Sequence, residues 1–238
     1  MSTYLISDMH GEKKIFDKLI KNLDFQVDKL YILGDVIDRG QQSMELLDEV
    51  RGMMTSFSQN VYMIKGNHEL FCEMYIDGRL SERVWLSEGY GGGPMLKAMK
   101  KMSKEDIADL NAFIKGLPIY LEIESPVYGK MVLTHSGINA DVLVRNDDET
   151  INVIKSIEAG YASNDFNFLC SGDIHRMPVK MLDKFMVVGH SPTIFLEGNS
   201  YKIYRRNKYI CIDSGGAHRD LGGKQSMYCV EEDMAVYL

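Results

Sequence analysis

Tyr4-Leu5-Ile6 is the first compact apolar run of the chain, and it stops at Asp8. The period then changes. Ile15, Phe16, Leu19 and Ile20 recur at three- and four-residue intervals, which predicts a helix over 13–22. Residues 29–33 read as a second strand ending at Gly34-Asp35. Residues 43–54 read as a helix with Ser43 as its N-cap, and 61–64 as a third strand ending at Gly66-Asn67-His68. Such a βαβαβ series implies a parallel sheet with right-handed crossovers. Ligands of such sheets sit beyond the carboxyl ends of the strands, where all three polar motifs fall.

From 69 to 116 the pattern is mainly helical, interrupted at 88–94 by three consecutive glycines and Pro94, which predict a loop. Ser103 and Asp106 mark a capped helix start. Residues 119–123 and 130–134 resemble paired strands around a turn at Ser125-Pro126, the second ending at His135. No element is assigned over 139–182, which is polar and weakly periodic. Residues 185–188 form a strand ending at Gly189-His190, and three short strands are expected near 201–205, 209–212 and 226–230. With no repeat, linker or low-complexity tract, 1–238 reads as one α/β domain with a β-rich second half.

Composition narrows the function classes. An apolar content of 45% is enough for a sizeable core without disulfides or structural metal. A net charge of -7 does not favour bulk attraction to nucleic acid or to an anionic membrane, so neither is expected as a partner. An anionic substrate would have to be drawn by a local site, and bound divalent ions would supply that attraction. The N-terminus lacks a basic region and a long apolar stretch, no run is long enough to span a bilayer, and Cys72, Cys170, Cys211 and Cys229 form no C-x-x-C pair. These features fit a cytoplasmic protein with reduced thiols.

The strand ends carry the chemistry. Asp8, His10 and Asp35 would leave two carboxylates and an imidazole unpaired without a cation, and their oxygen and nitrogen donors suit Mn, Fe or Zn. Each Asp alone reads more readily as a helix cap than as a ligand, and Asn67 behind Gly66 reads equally as either. Asp38-Arg39 is either a solvated ion pair or a phosphate grip with a His-orienting carboxylate. His135 and His190 each follow a strand beside a glycine. His175 and His218 are read as structural.

Together, Asp8-x-His10, Gly34-Asp35-x-x-Asp38-Arg39-Gly40 and Gly66-Asn67-His68-Glu69, in this order, resemble the calcineurin-like metallophosphoesterases. The closer likeness is to the phosphoprotein phosphatase branch, particularly bacterial and phage serine/threonine phosphatases. Trp85-Leu86 before Gly91-Gly92-Gly93, Leu117-Pro118, Gly189-His190-Ser-Pro-Thr193 and Ile212-Asp213-Ser214-Gly215 extend it over most of the chain outside 139–182. The resemblance implies a four-layer sandwich, with two mixed β-sheets face to face and helices outside. It implies two divalent ions, Mn above Fe or Zn. Asp8, His10 and Asp35 would hold the first, and Asp35 would bridge to a second completed by Asn67, His135 and His190. His68 would be the general acid held by Asp38, and Arg39 would bind phosphoryl oxygens. A second phosphate-binding Arg falls to Arg176 rather than Arg145, and 139–182 would shape the substrate side.

The activity so implied is hydrolysis of phosphoserine or phosphothreonine monoesters in a phosphorylated protein, by a hydroxide held between the metals. The alternative is a symmetrical dinucleoside tetraphosphate hydrolase. That group usually carries Asp after the motif histidine, where this chain has Glu69.

Overall fold

The computed structural model describes residues 1–198 and 201–238. The βαβαβ start is present as expected: β1 (Thr3–Ile6), α1 (Lys13–Ile20), β2 (Lys29–Ile32), α2 (Ser43–Ser56) and β3 (Val61–Met63). There follow α3 (Asn67–Ile76), α4 (Glu82–Trp85), α5 (Gly93–Met99) and α6 (Lys104–Gly116), then β4 (Tyr120–Ser125) and β5 (Gly129–Thr134). The unassigned stretch folds as α7 (Val153–Ser163), α8 (Asp165–Leu169) and short 3₁₀ turns. The chain closes with β6 (Phe185–Val188), β7 (Tyr204–Arg206), β8 (Tyr209–Cys211), β9 (Ser226–Cys229) and β10 (Met234–Tyr237).

Two five-stranded sheets result, ordered β10-β9-β1-β2-β3 and β4-β5-β6-β8-β7. Each is mixed. In the first, β1, β2 and β3 run parallel and β9 returns antiparallel against β1; in the second, β5, β6 and β8 run parallel between antiparallel edges β4 and β7. Strand alternation divides the core into three layers. Leu5, Tyr31, Leu133, Val187 and Ile210 meet between the sheets. Their neighbours Ile6, Leu30 and Ile32 turn to the helical layer of Phe16, Leu46 and Leu96. On the other side Val132, Met186 and Cys211 pack against Ile157 and Phe168 of α7 and α8. The four-layer expectation is met.

Local details differ. Ser43 does not cap α2; it is the first helical residue, and its hydroxyl donates to the Gly40 carbonyl at 2.7 Å. Ser103 does cap α6, accepting from the Asp106 amide at 3.1 Å. The glycine-proline loop ends earlier than its composition suggests, since Gly93 and Pro94 form the first turn of α5. Proline is acceptable there because its missing N–H would have no helical partner. Strand β10 was not expected.

Candidate metal centre

Six site residues sit just past six strand ends, at one pole shared by both sheets. Asp8 follows β1, Asp35 follows β2 and Asn67 follows β3; His135, His190 and Asp213 follow β5, β6 and β8. The loops after β1 and β2 are zipped together by backbone bonds from Asp8 N to Gly34 O, His10 N to Asp35 O and Gly11 N to Val36 O. Nine non-glycine residues have positive φ among the described residues, and six of them are Asp8, His10, Asp35, Asp38, Arg39 and His190. Backbone strain is therefore concentrated where the side chains converge.

Asp35 is at the centre. One of its oxygens lies 3.7 Å from His10 Nε2 and 3.9 Å from His68 Nε2, the other 3.4 Å from His135 Nε2. Two ligand-sized clusters share it: His10, Asp35 and His68, and Asp35, His135 and His190, each with donor atoms within 4.8 Å of one another. Asn67 Oδ1 lies 2.8 Å from both His135 Nε2 and His190 Nδ1. It is free to do so because α3 is capped by others. Glu69 accepts the Gly66 amide at 2.9 Å, and Asp35 accepts the His68 amide at 3.0 Å.

The hydrogen bonds on the far side of the rings tell them apart. His135 Nδ1–H donates to Leu33 O at 2.7 Å, and His10 Nδ1–H donates to Ile37 O at 3.1 Å. Both rings thus present an Nε2 lone pair to the pocket, and an outer-shell carbonyl is the usual anchor of a metal-bound imidazole. His135 then aims an acceptor at two acceptors, Asn67 Oδ1 and Asp35 Oδ1. A positive charge among the three atoms would relieve that array. Burial opposes a second proton on His135, but the Asp35 carboxylate raises its pKa to about 10. A divalent ion supplies the same charge, and the donor set fits one. His190 is driven the other way, down to about 3, by burial and by His135.

The carboxyls divide similarly. Burial, partly opposed by His135, lifts Asp8 to about 6, and burial with repulsion from Asp8 lifts Asp213 well above the carboxylate range. Burial also works against charge on Asp35, yet His135 and His68 hold it well below that range. Asp8 belongs to neither cluster; its Oδ2 accepts from the Ser7 hydroxyl and from the His190 amide.

His68 is held differently. Its Nδ1 meets Asp38 Oδ2 at 2.9 Å, so its anchor is a carboxylate rather than a carbonyl. Burial favours the neutral ring, but Asp35 and Asp38 together raise its pKa. That is the state a proton donor requires. Arg39 Nη2 lies 3.4 Å from His68 Nε2. His10, Asp35, Arg39, Asn67 and His68 line a pocket of about 60 Å³.

Arg176 does not enter that pocket. It lines an adjoining hollow of about 480 Å³ that shares His190 and Pro192 with it. Arg145 is engaged elsewhere, donating to Glu149 O. His218, read as structural from sequence, stands in the pocket wall and meets Phe195 edge to face. The sequence assigns Glu69 and Asp213 no part in the site. Glu69 in fact accepts from three backbone amides, of Asp35, Val36 and Gly66. Its acidic type at a helix start was the available signal. Nothing local signals Asp213.

The calcineurin-like phosphoesterase family model matches residues 1–219, and the chain belongs to that family. Among curated relatives, a symmetrical bis(5'-nucleosyl)-tetraphosphatase from Actinobacillus pleuropneumoniae serotype 5b (strain L20) is 29% identical over 161 residues, covering 67% of this chain and 52% of the relative. An asymmetrical bis(5'-nucleosyl)-tetraphosphatase, PrpE, from Geobacillus sp. (strain WCH70) is 24% identical and covers 62% of each chain. The chain thus spans about half to three-fifths of the length of these relatives. Among solved structures, a protein serine/threonine phosphatase from Saccharomyces cerevisiae with similarity to human phosphatase PP5 aligns with a TM-score of 0.64 at 17% identity, covering 97% of this chain and 72% of that one. A metallophosphoesterase from Sphaerobacter thermophilus aligns at 0.55 and 16%, covering 100% and 87%. Among the described residues, no helix is long and apolar enough to cross a membrane.

Proposed function

We propose that this metallophosphoesterase is a phosphomonoesterase acting on phosphoserine or phosphothreonine in proteins, with Asp8, His10, Asp35, Asn67, His135 and His190 holding two divalent ions, Mn foremost. Those ions would activate a water and neutralise phosphoryl oxygens. Asp8 would reach them by exchanging its Ser7 contact for a metal. Arg39, beside His68 at the pocket rim, binds the phosphoryl oxygens through its planar guanidinium. His68 gives its Nε2 proton to the departing oxygen, and Asp38 keeps the ring in the proton-donating state and fixes its direction.

The observation that carries this reading is the carboxylate-anchored His68 aimed into the pocket. A serine or threonine alkoxide is a poor leaving group and needs a proton as its bond to phosphorus breaks. A phosphoanhydride releases a stable phosphate and needs that proton far less. The small pocket also suits one phosphoryl group, while the hollow with Arg176 on one side and a groove with Arg39 and Arg219 on the other leave room for the chain flanking a phosphorylated residue.

A second reading, hydrolysis of dinucleoside tetraphosphates, is favoured by the activities named for the curated relatives. The hollow holding Arg176 is large enough for a nucleotide moiety. The deciding experiment compares a phosphothreonine peptide with diadenosine tetraphosphate in Mn, with Asp35→Asn as the blank. Preference for the peptide, lost in the variant, supports the monoesterase; preference for the dinucleotide transfers the same site to nucleotide hydrolysis.

A further inference from the structure

The chain has one tryptophan, Trp85 in α4, and it is wholly buried. Its indole Nε1–H donates to Asp38 Oδ2 at 2.9 Å. That is the same oxygen that receives His68 Nδ1. Asp38 Oδ1 is buried and has no hydrogen-bond partner among the described residues. The direction of the carboxylate is therefore set by two donors on one oxygen, one from the acid and one from Trp85.

The surroundings keep the indole in place. The Gly92 amide donates to Trp85 O at 2.9 Å, and a Cβ on Gly92 would lie 2.4 Å from the indole nitrogen. Next to it, Gly91 O accepts the Arg39 amide at 2.8 Å, and a Cβ on Gly91 would lie 2.7 Å from Arg39 Cγ. With φ of 70° at Gly91, only glycine suits this position without strain. The glycine run is thus a backing plate. It presses one residue against the indole and the next against the phosphate-binding arginine, where Asp38 and Arg39 both have positive φ.

We infer that Trp85 is a positioning residue for proton donation: its N–H fixes the Asp38 carboxylate so that His68 Nε2 points to the leaving-group side, and the Gly91-Gly92 pair holds it there. Trp85 is not among the residues that line the metal pocket. The inference rests on the reading of His68 as the general acid. Its signature is dependence on the leaving group, because a lost proton donor matters only where the departing oxygen needs the proton.

The test uses the Mn-loaded enzyme and two esters that differ in leaving group, phenyl phosphate and p-nitrophenyl phosphate. Trp85→Phe keeps most of the ring volume and removes the donor. Its kcat on phenyl phosphate falls about tenfold while that on p-nitrophenyl phosphate changes by less than about threefold, with metal content unchanged. Equal losses on both esters, or no loss on either, would overturn the inference. A second arm does not depend on that variant folding or on turnover. In zinc-loaded protein labelled with ¹⁵N-tryptophan, the single indole resonance shifts in Asp38→Asn and exchanges slowly with solvent in the parent. An indole indifferent to Asp38→Asn would equally overturn it. Parent protein that hydrolyses neither ester would instead sink the phosphomonoesterase reading, and the inference with it.

Discussion

Four imidazoles surround Asp35, and what holds each one on its far side separates them. His10 and His135 rest on carbonyls, while His68 rests on a carboxylate. His68→Asn is therefore expected to lower turnover of a phosphoserine peptide by about 10²-fold or more and that of p-nitrophenyl phosphate far less; steady-state rates on the two substrates check it. Gly66 offers a second residue-scale test. A Cβ there would lie 2.3 Å from Asp35 Oδ1 and 2.5 Å from Asp35 N. Gly66→Ala must displace the shared carboxylate, so metal affinity measured by calorimetry is expected to fall by at least about tenfold, in the range seen when the supports of metal ligands are lost. Residues such as Asp35, Asn67 and His135 were legible in the sequence because their donor atoms declare their chemistry and the strands before them fix their place. The bond from Trp85 to Asp38 was not, because it depends on where a short helix lands 47 positions later.

At the scale of elements, Glu69 ties two strand-end loops to the first turn of α3. Its carboxylate is lifted to about 7 by burial and by Asp35, against the pull of the amides that donate to it. Glu69→Ala abandons three buried backbone donors, and a loss of roughly 3 kcal/mol or more is expected in denaturant unfolding, at one to three for each orphaned group. The layer formed by α7, α8 and the 3₁₀ turns holds His175, which bonds to Tyr209 on β8. Burial, with Arg176 and Arg206 nearby, lowers His175 to about 4. Since the unfolded ring titrates near 6.5, its contribution is complete above that pH and is lost as pH falls towards 4. His175→Gln should flatten that part of the stability profile, read as Tm against pH. This layer was illegible because α8 has only five residues and the buried stripe of α7, Val153, Ser156, Ile157 and Gly160, is half serine and glycine. Strand β10 escaped notice because it is a sheet edge whose Met234 and Val236 are exposed, so no buried face imposes alternation.

On the scale of the whole molecule, neither sheet completes the centre alone. Asp8, Asp35 and Asn67 come from the sheet of β1 to β3, and His135 and His190 from that of β5 and β6. Ions bound between them would cross-link the sheets, so chelation should lower Tm in the parent and leave it nearly unchanged in Asp35→Asn; calorimetry in Mn and in chelator checks this. The same dependence couples core to catalysis. Ile210, wholly buried between the sheets, is expected to cost about 2–5 kcal/mol on replacement by alanine. The parallel arrangement of β1, β2 and β3 was readable from apolar runs alternating with helical periods; that of β5, β6 and β8 was not. The return of β9 and β10 to the first sheet was not, because strand periodicity says which face is buried and nothing about which neighbour is chosen.

The six left-handed residues at the pole have a consequence for how such a chain can change. Glycine or asparagine would suit those backbone angles better than Asp8 or His10 does, and an uncharged side chain at position 8 would end the repulsion between buried carboxyls. The residues present are retained at the expense of fold stability, so a copy relieved of catalysis would drift toward a tighter fold and an inert pole. Without metal, Asp8→Asn should accordingly melt above the parent, and with metal the order should reverse.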